Sequence, residues 1–282
     1  MHDAAAATGR HLSGLDALPA SSLSTRALAH LEAWGGPAAS LAIVRDVLGI
    51  ARANRHTADR IATALLGSDP RFARTTDGRW TLVAPVAASP ALDACRFAVV
   101  DVETTGTRAR RGDRIIEIAV VSAESQVLFH TLVNPGIPIP PFVGSLTGIT
   151  GAMVQQAPLF NAVVDELLHA LRGCVFVAHN ARFDWAFVSA EVERARGLLL
   201  QGPRVCTMRL ARRLLPDLPR RNLDTVSYHF GITIEGRHRA VGDAVAAAKC
   251  LQRLVGLAQE RGAVTLADLT TPIRPSARPP VQ

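Results

Sequence analysis

Asp101 and Glu103 stand two residues apart in the run Phe97-Ala-Val-Val-Asp-Val-Glu-Thr-Thr-Gly106. The apolar, β-branched residues around them predict a buried strand, and side chains alternate along a strand, so both carboxylates face one side. Two like charges that close repel each other and resist burial. A shared proton or a bound divalent cation relieves both penalties. A metal site is therefore the first chemistry to set against the rest of the chain. From this strand alone, two solvated acids on a sheet edge would read the same way.

Two further acids bear on the choice. In His179-Asn-Ala-Arg-Phe-Asp184, Asp184 follows an apolar run and opens a predicted helix; in His238-Arg-Ala-Val-Gly-Asp243, Asp243 lies early in a long alanine-rich helix. Acids are favourable in a first helical turn, so capping alone accounts for either one taken singly. His238 precedes Asp243 by five residues. Five helical steps of about 100° leave two side chains roughly 140° apart around the axis. A regular helix cannot aim both at one site, so His238 is expected on the preceding loop, able to swing in. Imidazole titrates near neutral pH, which suits a general base.

The elements that must bring these residues together are legible as pattern. After the Phe97 strand come strands from Arg114 to Ser122 and from Val127 to Val133, and their short connections indicate antiparallel pairing. Pro135 to Pro141 breaks regular structure. Beyond it the pattern predicts a helix from Pro158 to Leu171, a strand from Cys174 to Ala178, a helix from Ala181 to Arg196 and a strand from Val205 to Met208. Helices at Leu210 to Leu214, Leu223 to Phe230 and Ala240 to Arg261 complete it. Strands first paired by hairpins and then alternating with helices predict an α/β domain, a mixed sheet flanked by helices, over residues 94–262.

Residues 1–20 read as a disordered leader, 85–93 as a linker around Ala84-Pro-Val-Ala-Ala-Ser-Pro90, and 263–282 as a flexible tail. Between leader and linker, residues 21–84 carry three amphipathic helices (Ser24 to Trp34, Ala38 to Leu48, Thr57 to Leu66) and a hairpin signal at Asp77-Gly78. Thr57 reads as the N-cap of the third helix and Gly67 as its stop. The order resembles a small α+β winged helix-turn-helix domain, with Thr57 to Leu66 in the recognition position and Arg55, His56 and Arg60 on its polar side. Winged helices bind nucleic acid or protein, and both readings stay open.

The 282 residues are 48% hydrophobic, enough for substantial cores, and the formal charge of +7 comes almost wholly from arginine. Such a balance favours a polyanionic partner. Cys95, Cys174, Cys206 and Cys250 form no Cys-x-x-Cys pair, which suits reduced thiols in a cytoplasm. No charged start with an apolar run marks a signal peptide, and no stretch is long enough to span a bilayer, so no membrane partner is expected.

Asp101-x-Glu103, Asp184 in its His-Asn-x-x-Phe-Asp setting and His238-x-x-x-x-Asp243 together resemble the DnaQ-like, or DEDDh, 3′–5′ exonucleases, from about Phe97 to Leu254; Leu146-Thr-Gly-Ile-Thr150 is similar as well. The resemblance implies a ribonuclease H-like fold. It also implies two divalent cations, Mg2+ or Mn2+, held by Asp101, Glu103, Asp184 and Asp243, with His238 activating water. Asp101 would bridge both ions, with Glu103 and Asp243 on the water-activating one and Asp184 on the other. The turn Thr104, Thr105, Gly106 would approach the terminal nucleotide, and Asn180 would orient the strand or cap its helix. His179 reads as structural. Arg108, Arg110, Arg111 and Arg114, and separately Arg220 and Arg221, are candidate phosphate contacts; Trp185, Phe187, Tyr228 and Phe230 read as core. The expected substrate is nucleic acid, DNA before RNA, with RNA trimming as the alternative enzyme reading and a catalytically retired binding adaptor as a third. A DNA polymerase or a repair protein is an unassigned partner, and the sequence gives no oligomeric state.

Overall fold

Phe97–Thr104 forms a strand whose odd and even residues serve two different cores. Ala98, Val100 and Val102 pack on one face and Val99 on the other. A strand buried on both faces belongs at the centre of a sheet, and this one does. The chain is described here by a computed structural model covering residues 15–19, 23–69, 71–83 and 89–270. It divides into two units, the first ending at Ala88 and the second running on from Ser89 with Ser13–Ala17 attached.

The first unit has helices α1 (Leu23–Trp34), α2 (Ser40–Leu48) and α3 (Arg55–Leu66), then strands β1 (Phe72–Arg74) and β2 (Trp80–Leu82). Ala27, Leu31, Ile43, Val44, Ala62 and Trp80 share its core. Ala38, just before α2, exchanges backbone hydrogen bonds with Trp80 at 2.8 and 2.9 Å, which adds a third short edge to the hairpin. The α3 cap differs from expectation. Asn54, not Thr57, is the N-cap, its side chain accepting the Thr57 N–H at 2.8 Å, while Gly67 closes the helix as expected.

In the second unit, the central strand β3 (Phe97–Thr104) pairs antiparallel with β4 (Ile115–Ser122), which pairs antiparallel with β5 (Val127–Leu132). On its other side β3 pairs in parallel with β6 (Val175–Ala178), and β6 with β7 (Arg204–Cys206). The order β5-β4-β3-β6-β7, with three antiparallel strands leading into parallel ones, is the ribonuclease H-like arrangement. Helices α4 (Pro141–Thr147), α5 (Gly151–Gln155) and α6 (Phe160–Leu171) link the two halves of the sheet. Helices α6 and α7 (Ala181–Arg196) cover one face. The other face carries α8 (Thr207–Leu214), α9 (Leu223–His229), α10 (Ala240–Glu260) and α11 (Leu266–Thr270). Alanines at 244, 246, 247 and 248 are buried, so α10 lies close against the sheet.

Three boundaries move. Residues 15–19 are not leader: Leu15 is buried, its N–H donates to Cys174 O at 2.7 Å, and Asp16–Pro19 is extended. The last linker residues belong to the second unit, where Leu92 is buried and its N–H donates to Val264 O at 3.0 Å. The tail begins later than 263, because Ala263, Leu266 and Leu269 are buried in the α10-side core. Residues 1–14, 84–88 and 271–282 lie outside those described. All four cysteines are free thiols, and among the described residues no helix is long and apolar enough to cross a membrane.

Glu191, buried on α7, accepts from Arg114 Nε at 2.6 Å and Nη2 at 3.0 Å, and pairs with Arg194 at 2.8 Å. It ties α7 to the start of β4. Removing one member of such a buried group strands the other. Glu191→Ala is expected to lower unfolding stability by about 3 kcal/mol, read as a fall in the urea midpoint at unchanged slope.

Candidate active site

The sheet supplies two acids and the helices on its two faces supply one each. Asp101 and Glu103 leave β3 on the Val99 side, towards α10. Asp243 lies in the first turn of α10 and Asp184 in the first turn of α7. One carboxylate oxygen from each of Asp101, Glu103 and Asp243 lies within 4.8 Å of the others. Asp184 joins them electrostatically. Burial raises the Asp101 carboxyl well above the usual range, and the strongest neighbouring contribution comes from Asp184, ahead of Glu103 and Asp243. Burial likewise lifts Glu103 to about 7, with Asp243 and Glu117 adding to it, and Asp184 to about 8. Asp243 is raised by burial as well, against the pull of Arg237 and His238.

Four acids that all resist ionisation form a site short of positive charge. Asp243 Oδ1 is buried without a hydrogen-bond partner, an uncompensated acceptor on one member of the cluster. Hard carboxylate oxygens with an open lone pair fit Mg2+ or Mn2+ better than a softer ion. The residues present therefore fit divalent cations.

The loop into α10 brings two basic residues to the same place. His238 precedes the helix, as its spacing predicts, and holds φ at +62°. Its backbone N–H donates to Asp243 Oδ2 at 3.3 Å. Arg237, not anticipated from the sequence, pairs with Asp243 Oδ2 and with Asp224 at 2.8 Å, and its Nη1 lies 3.3 Å from His238 Nδ1. Gly242 makes this approach feasible: a Cβ there would lie 1.9 Å from Glu235 O and 2.7 Å from Gly236 O. Glu117, opposite Glu103 in register, anchors the other side. Its buried carboxylate accepts from Arg239 Nε at 2.9 Å, Arg239 Nη2 at 2.8 Å and the Ala240 N–H at 3.0 Å, and lies 2.9 Å from His130 Nε2. Burial alone would raise its pKa, but these bonds outweigh it and hold it low. An acid inside the apolar run Ile115-Ile-Glu-Ile-Ala119 is the signal in the sequence for this anchor.

The remaining candidates divide. Thr104 Oγ1 donates to Gly106 O at 2.6 Å, and Thr105 Oγ1 accepts the Arg114 N–H at 2.9 Å, so both hydroxyls shape their own turn. Gly106 packs where a Cβ would sit 2.5 Å from Asp113 Oδ2. Asn180 occupies the N-cap position of α7 without capping it, and its exposed carboxamide makes no hydrogen bond among the described residues. His179 is structural: Nε2 donates to Arg221 O at 2.8 Å, Nδ1 lies 3.0 Å from Thr207 Oγ1, and burial lowers its pKa. Arg114 is committed to Glu191, and Arg221 donates to Leu215 O and Pro216 O at 3.2 and 2.6 Å. Arg108, Arg110, Arg111 and Arg220 are exposed. Trp185 and Phe187 are buried and Phe230 partly so, but Tyr228 is 88% exposed, turned outward on the short α9.

Two outcomes follow. Gly242→Ala must displace the backbone at Glu235 and Gly236, and with it Arg237 and His238; cleavage is expected to fall at least about 10-fold while the melting temperature moves by only a few degrees. The second concerns pH. Carboxyls whose folded pKa is raised hold more protons folded than unfolded between the two values, so without metal these acids cost stability as pH rises from about 4 to about 8. A cation binds the ionised form and reverses that cost. The melting-temperature gain on adding Mn2+ to chelated protein should be larger near pH 8 than near pH 5; equal gains would show the ion held elsewhere.

Residues 98–251 match the family model for exonucleases of the RNase T type. The chain is 33% identical over 162 residues to the DNA polymerase III subunit epsilon of Aquifex aeolicus, covering 56% of this chain and 80% of that protein. It is 37% identical over 178 residues to the PolC-type DNA polymerase III of Caldanaerobacter subterraneus subsp. tengcongensis, and 38% over 152 residues to the 3′-5′ exonuclease DinG of Bacillus subtilis. These matches take in 62% and 53% of this chain but span only 13% and 16% of those longer proteins. A solved structure of exonuclease X with 5′ overhanging duplex DNA is 27% identical, covering 63% of this chain and 99% of that one at a TM-score of 0.49. With its family-model match over more than half its length, the chain belongs to the DnaQ-like exonuclease family.

Proposed function

We propose that this chain removes nucleotides from DNA 3′ ends by metal-dependent hydrolysis of the terminal phosphodiester. The observation that carries the reading is the cluster of Asp101, Glu103 and Asp243, with Asp184 coupled to Asp101, Asp243 Oδ1 left unpartnered and His238 on the adjoining loop. Asp101, Glu103, Asp184 and Asp243 would hold two divalent cations. Bound there, such ions supply water activation and charge stabilisation at the leaving oxygen. A phosphodiester is an anion, and four carboxylates without cations would repel it.

The protein's own groups divide the remaining work. His238 accepts the proton of the attacking water, a task that its position on a loop, rather than within α10, leaves it free to perform. Glu117, through Arg239 and the Ala240 N–H, fixes the start of α10 and so the place of Asp243. The Thr104 to Gly106 turn and the uncommitted Asn180 carboxamide meet the terminal nucleotide. DNA is the first substrate because the relatives named above include subunits of DNA polymerase III and a DinG exonuclease. The same relatives make a polymerase or a repair complex the class of partner to look for.

The test is a time course on 5′-labelled single strands of DNA and RNA of matched sequence, with Mg2+ or Mn2+. DNA should shorten stepwise from its 3′ end and RNA more slowly; faster loss of RNA would reassign the substrate. Asp101→Ala should leave both intact, and activity surviving it would overturn the mechanism. His238→Ala should slow cleavage by about 100-fold or more with DNA binding unchanged. Equal effects on cleavage and binding would remove its role as base.

A further inference from the structure

We infer that α3 of the first unit, with the turn leading into it, is a binding surface for duplex DNA, its phosphate contacts being Arg60 on the exposed side of the helix and Arg52 and Arg55 at its amino end. Between residues 23 and 83 there are eight arginines and five acids. Asp46 is matched with Arg45, Asp69 with Arg71, Asp59 with Arg74 and Asp77 with Arg79. Asp59 is the only acid on α3, and it also accepts from Ser40 Oγ at 2.6 Å. Its charge is spent inside the unit. Arg52, Arg55 and Arg60 are exposed, and among the described residues no carboxylate lies within ion-pair range of them.

The shape of the helix agrees with its charge. Ala58, Ala62 and Leu66 are its buried side. The opposite side shows His56, Thr57, Arg60, Thr63 and Ala64, short or hydrogen-bonding side chains that let a helix enter a groove. The major groove of B-form DNA, about 12 Å wide, admits one α-helix. The Asn54 cap fixes where α3 begins and so where Arg55 and His56 stand. A protein partner would need apolar surface, and the exposed large apolar residues of this unit, among them Trp34 and Leu41, lie off α3. Cationic donors whose one neighbouring acid, Asp59, is already paired with Arg74, and which have no exposed large apolar side chain beside them on α3, match a phosphate backbone.

The surface acts in binding alone, so its test is separable from the nuclease chemistry. The full chain in chelator, where no metal-dependent cleavage occurs, is titrated with a blunt DNA duplex by fluorescence anisotropy over a series of salt concentrations. The combined change Arg52→Ala, Arg55→Ala and Arg60→Ala should weaken binding at least about 10-fold and flatten the log–log salt slope by about 2 to 3, near 0.9 for each phosphate no longer neutralised. Arg60→Ala alone should flatten it by about 1. Replacing all three with lysine should restore affinity to within about 3-fold, because a point charge suffices for a phosphate. Hydrolysis of a nucleoside 5′-nitrophenyl phosphate with Mn2+ should be the same in every variant. Affinity and slope unchanged in the triple alanine protein, or no duplex binding by the parent, would overturn the proposal. Binding that behaves as described in a protein unable to hydrolyse the nitrophenyl ester would sink the nuclease reading and leave this one standing.

Discussion

Mutual repulsion among Asp101, Glu103, Asp184 and Asp243 is the constraint on which the rest of the second unit depends. Burial pushes each acid towards its neutral form, and neighbouring carboxylates push Asp101, Glu103 and Asp184 further the same way. Such an arrangement stabilises nothing in the absence of cations and persists only if packing elsewhere enforces it. Two cores do so, one on each face of the sheet. The central strand belongs to both, so its acids cannot move apart without disturbing one or the other. Close packing makes a core a rigid support, and rigidity is what a metal site built from three separate segments needs.

Comparing acids within the same unit separates support from chemistry. Glu117 is as buried as Asp243, yet two arginine nitrogens, a backbone N–H and an imidazole nitrogen surround its carboxylate, and it stays ionised. Glu191 is similarly surrounded by Arg114 and Arg194. Asp243 has Arg237 and the His238 N–H on one oxygen and nothing on the other. A satisfied buried acid is a structural fixture, whereas one with an oxygen left over requires something from outside the chain. Arg237 limits the repulsion and leaves the second oxygen of Asp243 uncovered.

How much of this is legible in the sequence follows the range of each signal. The Phe97 strand, the α7 and α10 helices and the placing of His238 off its helix come from local periodicity, and they hold. Leu15 and the Leu266 to Thr270 helix read as leader and tail because a few residues carry no period; only contacts with Cys174 and with the α10 side show that they are core. Arg237 escapes a reading of the sequence because a sequence does not state which way a loop arginine turns. Arg114 and Arg221 look like phosphate contacts on composition, but Arg114 is taken up by Glu191, distant in sequence, and Arg221 turns back on the Leu215 and Pro216 carbonyls of its own loop. Tyr228 fails for the opposite reason: an aromatic residue on a short helix is expected to turn inward, and this one faces out.

The arginines show why a total charge of +7 is a weak guide to where an anion binds. Arg114 and Arg239 are matched to buried acids, and Arg213, Arg221 and Arg261 donate to backbone carbonyls. The planar, many-donor guanidinium suits such work, so an arginine-rich chain can spend much of its charge on its own structure. What distinguishes a surface for an outside partner is cations that have no internal task. By that criterion Arg52, Arg55 and Arg60 are set apart from the paired arginines of their unit, as Arg108, Arg111 and Arg220 are in the second. Asp243, with its uncovered oxygen, is set apart among the acids in the same way. Both inferences rest on one rule: in a well-packed protein, polar groups left unmatched by the fold are the ones available to a ligand.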